Sequence, residues 1–304
     1  MIKTVINLKT LTPLFLHGAE TTDAPELRAP SIRGLMRYWF RAAMGGVIGD
    51  KNLNGLRMLE SELFGDTEKS GAISIRINSP KIEKISKVPL LPHKNTPNRF
   101  AITDAEFKII LSGGQFVRES VWKAGIDSLL LAANLGGFGQ RARRGYGDLE
   151  IEDVDKPNLD NYKFSLDNIE KCLPEFLKTI QKDFKILAAD FKIPITGFSS
   201  EIPSFPCFSK ETRFWVSKEN DRQIVISDFM NRIPKTPLLG GIQPRHASPL
   251  WVRPIKKNES QWALLMTYLP SKTCCPKDEQ SPKEVAEILE KYGIREIPFQ
   301  GWDQ

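Results

Sequence analysis

The sequence predicts an α+β chain of two tandem ferredoxin-like (RRM-like) domains, the second degenerate, and three observations carry that prediction. Elements in the first half follow the order strand, helix, strands, helix, strand, which is the βαββαβ order of the arrangement. A polar stretch, DKPNLDN at 155–161, reads as a linker dividing residues 1–155 from 156–304. The second half mixes strand-like and helical segments again, with no low-complexity run or sharp internal repeat.

Residues 2–16 alternate apolar and polar side chains as a first strand that ends near Pro13. TTDAPELRAP follows as a loop, because Pro25 and Pro30 bias the residues before them away from helix. Ser31 caps a helix that runs to about Met44, where Gly45 and Gly46 stop it. A second helix spans 53–64, with Leu53, Leu56, Leu59 and Leu63 on one side. GAISIRIN alternates Ile73, Ile75 and Ile77 as a strand, VPLLPHKNTPNR is loop, and EFKIILSG is the next strand. Residues 116–134 are helical, offering Val121, Ile126, Leu129, Leu130 and Ala133 to a core. A glycine-rich loop then leads into the strand GDLEIEDV.

In the second half, SLDNIEKCLPEFLKTIQKDFKIL predicts a helix interrupted or restarted at Pro174. RFWVSK, RQIVISDF, SPLWVRPIK and WALLMTYLP have strand character. SPKEVAEILEKYG is a well-signalled last helix, with Ser281 as cap, Pro282 at its first position and Gly293 as its stop.

No apolar run approaches the roughly 20 residues needed to cross a bilayer. The opening segment MIKTVINLKTLTPLFL carries Lys3, Asn7 and Lys9 and lacks a small-residue cleavage site, so a cytoplasmic chain with no membrane partner is expected. Cys172 and Cys207 stand apart, Cys274 and Cys275 are adjacent, and only three histidines are present. That pattern predicts reduced, mostly buried thiols, with neither a metal site nor a cofactor.

The net charge is +6, and its distribution says more than its size. Residues 28–41, 137–147 and 232–257 contain no Asp or Glu and hold 13 of the 43 Lys and Arg. The other 30 cations are outnumbered by 37 acidic residues, so all the positive excess lies in three stretches. Clustering of that kind points to a polyanion.

The first stretch places Arg33, Arg37 and Arg41 at i, i+4 and i+8 beside an apolar face of Ile32, Leu35, Met36, Trp39 and Ala43, with Arg28 just upstream. The second, GGFGQRARRGYGDLEI from Gly136, combines glycines that let backbone N–H groups approach a phosphate with forked donors suited to it. Its candidate RNA-binding residues are Gly137, Phe138, Gly139, Arg141, Arg143, Arg144 and Tyr146, the two aromatics being available to stack on unpaired bases. The third repeats the theme with Arg245, His246 and Arg253. The loop lacks the G-K-[ST] ending of a P-loop, and its glycines follow a helix and precede a strand, the reverse of a dinucleotide fingerprint. Catalysis has little support. His17, at the end of the first strand, is the one position where a general base for RNA cleavage could stand. Three readings stay open on these residues: a non-catalytic RNA-binding chain, a metal-independent endoribonuclease using His17, and a module whose arginines meet acidic proteins.

TPLFLHGAETTDAPELRAPSIRGLMRYWFRAAMGG, followed about a hundred residues later by GGFGQRARRGYGDLEI, resembles the RAMP superfamily of CRISPR-associated proteins. Within it, the resemblance is to the Cmr1-type subunits of the type III-B effector, the Cmr complex. Thr12-Pro13, Leu27-Arg28, Pro30 to Gly34, Arg37, Trp39 and Arg41 carry it, and RHASPLWVRP is similar to a second-domain segment of that family. The resemblance implies tandem ferredoxin-like domains and a place in a ribonucleoprotein of antiviral defence. It implies contact with guide RNA toward its 3′ region or with the paired target, beside other Cmr subunits, one of which cleaves the target. It also implies a small residue or glycine where His17 stands, so the chain departs from the pattern there.

Overall fold

The computed structural model describes residues 1–18, 24–90, 98–155, 162–197, 202–220, 239–242, 245–274, 282–299 and 302. The chain divides into two compact units, Met1–Phe40 with Met58–Lys163, and Arg41–Arg57 with Phe164–Gln304. Each carries a four-stranded antiparallel sheet.

In the first unit β1 (Ile2–Thr10), β2 (Ile73–Val88), β3 (Arg99–Gly113) and β4 (Leu149–Val154) lie in the order β2-β3-β1-β4. The register sets the two faces. Ile6 opposite Ile109 and Leu8 opposite Phe107 point into the core, while Asn7 opposite Lys108 and Lys9 opposite Glu106 point outward. Helix α3 (Glu119–Leu135) covers the inner face closely, since a Cβ on Gly125 would run into the Ile73 side chain. From α1 (Ala29–Ile48), Ile32, Met36 and Trp39 are buried as their 3.6-residue spacing requires. The predicted βαββαβ order holds, with α2 (Leu53–Phe64) added after α1.

Five boundaries differ from the sequence expectations. Backbone N–H groups of Ser31 and Ile32 already bond to the Arg28 carbonyl, so α1 begins before Ser31. It also runs through Gly45 and Gly46 and ends at Gly49, whose φ of +82° supplies the left-handed cap. Within the second unit those two glycines serve close packing. A Cβ on Gly45 would come within 2.9 Å of the Phe205 ring, and one on Gly46 within 2.8 Å of the Phe208 carbonyl. β1 ends at Thr10, beyond which Leu14 makes an isolated bridge to Ile102. β2 and β3 extend well past the predicted strands, because Pro80 sits on an edge strand at a register shift and needs no ladder N–H.

The second unit adds α4 (Ile169–Asp190), β5 (Arg213–Val216), the two-residue pair β6 (Gly241–Ile242) and β7 (Arg245–His246), β8 (Leu250–Lys256), β9 (Trp262–Tyr268), α5 (Pro282–Glu290) and β10 (Arg295–Ile297). Its sheet order, β10-β5-β9-β8, repeats the pattern of the first sheet, last strand beside first and third beside second. α4 is continuous; Pro174 lies inside it and removes one backbone bond without ending the helix. The predicted strand RQIVISDF and Cys275 lie outside the described residues. Cys172, Cys207 and Cys274 are buried and in no disulfide, and burial pushes the Cys207 thiol pKa well up. Among the described residues no helix is long and apolar enough to cross a membrane.

Candidate nucleic-acid interface

After Leu135 the chain enters the glycine-rich stretch, and the structure shows it zipped to Leu11–Phe15. The Leu11 N–H donates to the Asp148 carbonyl (2.9 Å), the Gly147 N–H to Pro13 (3.0 Å) and the Gln140 N–H to Phe15 (2.9 Å). Thr12 Oγ1 accepts from the Asp148 N–H (2.9 Å) and donates to its carboxylate (3.4 Å). Gly139 and Gly147 have φ of +81° and +69°, and a Cβ on either would overlap the carbonyl of Phe15 or Phe138. These glycines let two backbones touch. The stretch expected to approach an anion through its glycine N–H groups is tightly packed, and the Gly147 N–H is already bonded within the fold.

Phe138 and Tyr146 are 2% and 5% exposed. Tyr146 packs 5.4 Å from the Phe15 ring and donates its hydroxyl proton to the Pro89 carbonyl at 3.3 Å. The stacking role expected for both aromatics therefore fails in this conformation, because neither ring presents a face to solvent. Burial raises the Tyr146 pKa, with Arg141 opposing the shift.

What the packed stretch presents instead is a single turn. Ala142–Arg144 form a 3-10 turn, flanked by Arg141 (φ 64°, ψ 19°) and Gly145 (φ 75°, ψ 20°) in left-handed conformations. Such a backbone at a non-glycine residue costs about 1–2 kcal/mol, strain of the kind that gathers at functional sites. The Arg143 guanidinium lies 5.5 Å from the Tyr38 ring centroid, a cation–π contact that ties the turn to α1. Burial lowers the pKa of Arg141 and Arg144, and the charges of Arg141 and Arg143 lower that of Arg144 further. A guanidinium stays charged at neutral pH. Gathering like charges against each other costs energy that a bound polyanion would offset.

The sequence pattern of the RAMP superfamily matches residues 7–150, which include both zipped segments and the arginine turn. Over that range, just under half of its length, the chain is similar to the RAMP superfamily. It is similar to the CRISPR system Cmr subunit Cmr1-2 of Pyrococcus furiosus, 29% identical over 185 residues, half of this chain and 96% of that protein. It is also 30% identical over 159 residues to Cmr1-1 of the same organism, a match spanning 47% of this chain and 46% of that one. Among solved structures, Pyrococcus furiosus Cmr1 in its apo form superposes with a TM-score of 0.68 at 20% identity, over 99% of this chain and all of that one. A chain of the type III-B Cmr-beta complex bound to cognate target RNA superposes with a TM-score of 0.67 at 14% identity, over 96% and 98%. The resemblance to Cmr1-type RAMP proteins expected from the motifs is borne out.

The remaining predicted site residues separate. Arg37 turns inward. It pairs with Glu60 at 3.0 Å and donates to the carbonyls of Phe64 (3.2 Å) and Gly65, so it anchors the end of α2. Arg28 pairs with Glu26 at 2.9 Å and donates to the His17 carbonyl at 3.3 Å. His17 Nε2 lies 3.0 Å from the Phe100 carbonyl, which can only accept, so Nε2 carries the proton. Arg33 is half-exposed on α1 with its Nε buried. In the second unit Arg41 is exposed, Arg253 is 6% exposed within β8, and Arg245 and His246 pair with Ile242 and Gly241. Burial of Arg253 conflicts with a surface contact to RNA. Tyr38 is the residue the sequence reading missed. Its signal was an aromatic off the apolar face of α1, beside arginines. Among the described residues no group of three or more His, Cys, Asp or Glu could hold a metal ion.

Proposed function

We propose that this chain is a non-catalytic RNA-binding subunit of a type III-B CRISPR ribonucleoprotein, the Cmr complex, acting in cytoplasmic antiviral defence. The curated relatives are Cmr1 subunits of a CRISPR system, and one structural neighbour belongs to a Cmr complex holding target RNA. One observation carries the RNA reading: Arg141, Arg143 and Arg144 are concentrated on one rigid turn, with Arg143 braced on Tyr38. Forked guanidiniums held at fixed spacing suit successive phosphates of one strand. The turn holds the backbone of the guide RNA toward its 3′ region, or of the guide–target duplex, and neighbouring Cmr subunits complete the site. No cofactor enters this role.

The test is a gel shift of the purified chain with labelled single-stranded RNA in EDTA, with each sample denatured to check that the RNA is intact. Wild type is compared with a variant carrying Arg141→Glu, Arg143→Glu and Arg144→Glu. Intact RNA shifted by wild type and released by the variant is the expected result. His17→Ala should shift RNA as wild type does. Cleaved RNA, abolished by His17→Ala, would replace this reading with a metal-independent endoribonuclease.

A further inference from the structure

Five glycines lie inside described helices: Gly34, Gly45, Gly46, Gly55 and Gly125. Four have a neighbour that explains them, since a Cβ on Gly45, Gly46, Gly55 or Gly125 would come within 3.0 Å of another atom. Gly34 does not. It is exposed in the interior of α1, and apart from its own stretch of helix no described atom lies within 4 Å of where its Cβ would be. Glycine in an exposed helix interior is destabilising relative to alanine, and nothing among the described residues compensates here.

Its neighbours point to what does. Tyr38 is one turn further along the same face of the helix, and Arg143 stacks on it at 5.5 Å. Arg33 adjoins the glycine, with its Nε buried, and residues 28–41 contain no acidic side chain. A bare patch of helix backbone therefore lies beside fixed cations, in a stretch that repels no anion.

We infer that the ribose–phosphate backbone of bound RNA runs in direct contact with α1 at Gly34, beside the Arg143–Tyr38 stack. The absent Cβ lets the strand approach within reach of Arg143 and Arg33, and exposed Cα–H groups suit contact with phosphate or ribose oxygens. This rests on the RNA-binding reading and adds a strand path to it.

Gly34→Ala and Gly34→Val in the full chain test it, with filter binding of single-stranded RNA at low salt and melting of the free protein. Gly34→Ala should raise the melting temperature yet weaken binding about tenfold, roughly one lost charge-assisted contact. Gly34→Val should weaken it further. RNA binding that depends on Arg143 but is untouched by Gly34→Ala overturns the inference and leaves the RNA reading standing. So does a variant that keeps RNA but loses a Cmr protein subunit, which would assign the gap to protein. A lowered melting temperature would mean the glycine serves the fold. Absence of RNA binding by wild type would remove both readings.

Discussion

Replacing Arg37 with Met tests whether this arginine belongs to the fold or to the ligand. Arg37 bonds Glu60 at 3.0 Å and two carbonyls at the end of α2, and Glu60 is 7% exposed. The thioether keeps most of the packing volume but takes this cation away from a buried carboxylate. Breaking such a pair from one side costs roughly 3 kcal/mol, the low end for a buried ion pair because the Arg37 side chain is 28% exposed. With urea slopes of about 1–3 kcal/mol per molar, the midpoint should fall by about 1–3 M. Tryptophan fluorescence is a suitable probe, since Trp39 is fully buried in the same helix. The double variant Arg37→Met, Glu60→Gln should recover about half the loss, because the buried charge is gone. A single variant unfolding at the wild-type midpoint, or a double variant no better than the single, would refute the anchoring role. Arg37 would then return to the set of candidate RNA contacts.

Gly147→Ala should lower the urea midpoint by an amount reflecting at least the 1–3 kcal/mol or so of left-handed strain, since its Cβ also falls on the Phe138 carbonyl. RNA affinity should fall with it although no charge changes, and unchanged affinity would show that the turn needs no rigid base. Asp66 accepts hydrogen bonds from the Ser61 hydroxyl and from the Glu68 and Lys69 N–H groups, which hold its pKa at about 2 against an ordinary 3.8. A depressed carboxylate stabilises the fold above its unfolded pKa. The melting-temperature gap between wild type and Asp66→Asn should therefore be full above pH 4 and close as pH falls toward 2. A gap independent of pH would remove the carboxylate's charge as the cause.

Local patterns reached as far as local physics decides. Leu53, Leu56, Leu59 and Leu63 predicted α2 with the boundaries observed, because its apolar spacing is complete within twelve residues. Gly45 and Gly46 misled, since spacing cannot distinguish a glycine that caps a helix from one that admits Phe205 or Phe208. β10 escaped notice because three residues show no periodicity. The arginine turn was legible from charge alone. The burial of Tyr146 was not, because its partners Phe15 and Pro89 are far away in sequence. Arg37 looked like its neighbours on the helix for the same reason, with Glu60 arriving from α2.

The fold itself suggests a different RNA mode from the one its residues support. RRM-like sheets take single strands on the open face, through aromatic side chains that stack bases. Along β1 and the facing parts of β2 and β3 that face carries Lys3, Asn7, Lys9, Arg76, Lys108 and Glu106 by register, and the exposed ring of the sheet, Phe100 near the start of β3, already lies under the Lys87 ammonium at 5.0 Å. Lys9 is already paired with Glu106 at 3.3 Å, and β4 adds Glu150 and Asp153 opposite Lys9 and Asn7. A face of mixed sign whose exposed ring is already covered has little to offer a polyanion. The arginines sit elsewhere, on the turn that leads into β4. Charge reversal at Lys108, exposed on the open face, should therefore leave RNA affinity near wild type, while Arg143→Glu lowers it and flattens its salt dependence. Equal losses from the two would mean that general surface charge, and not the turn, governs binding.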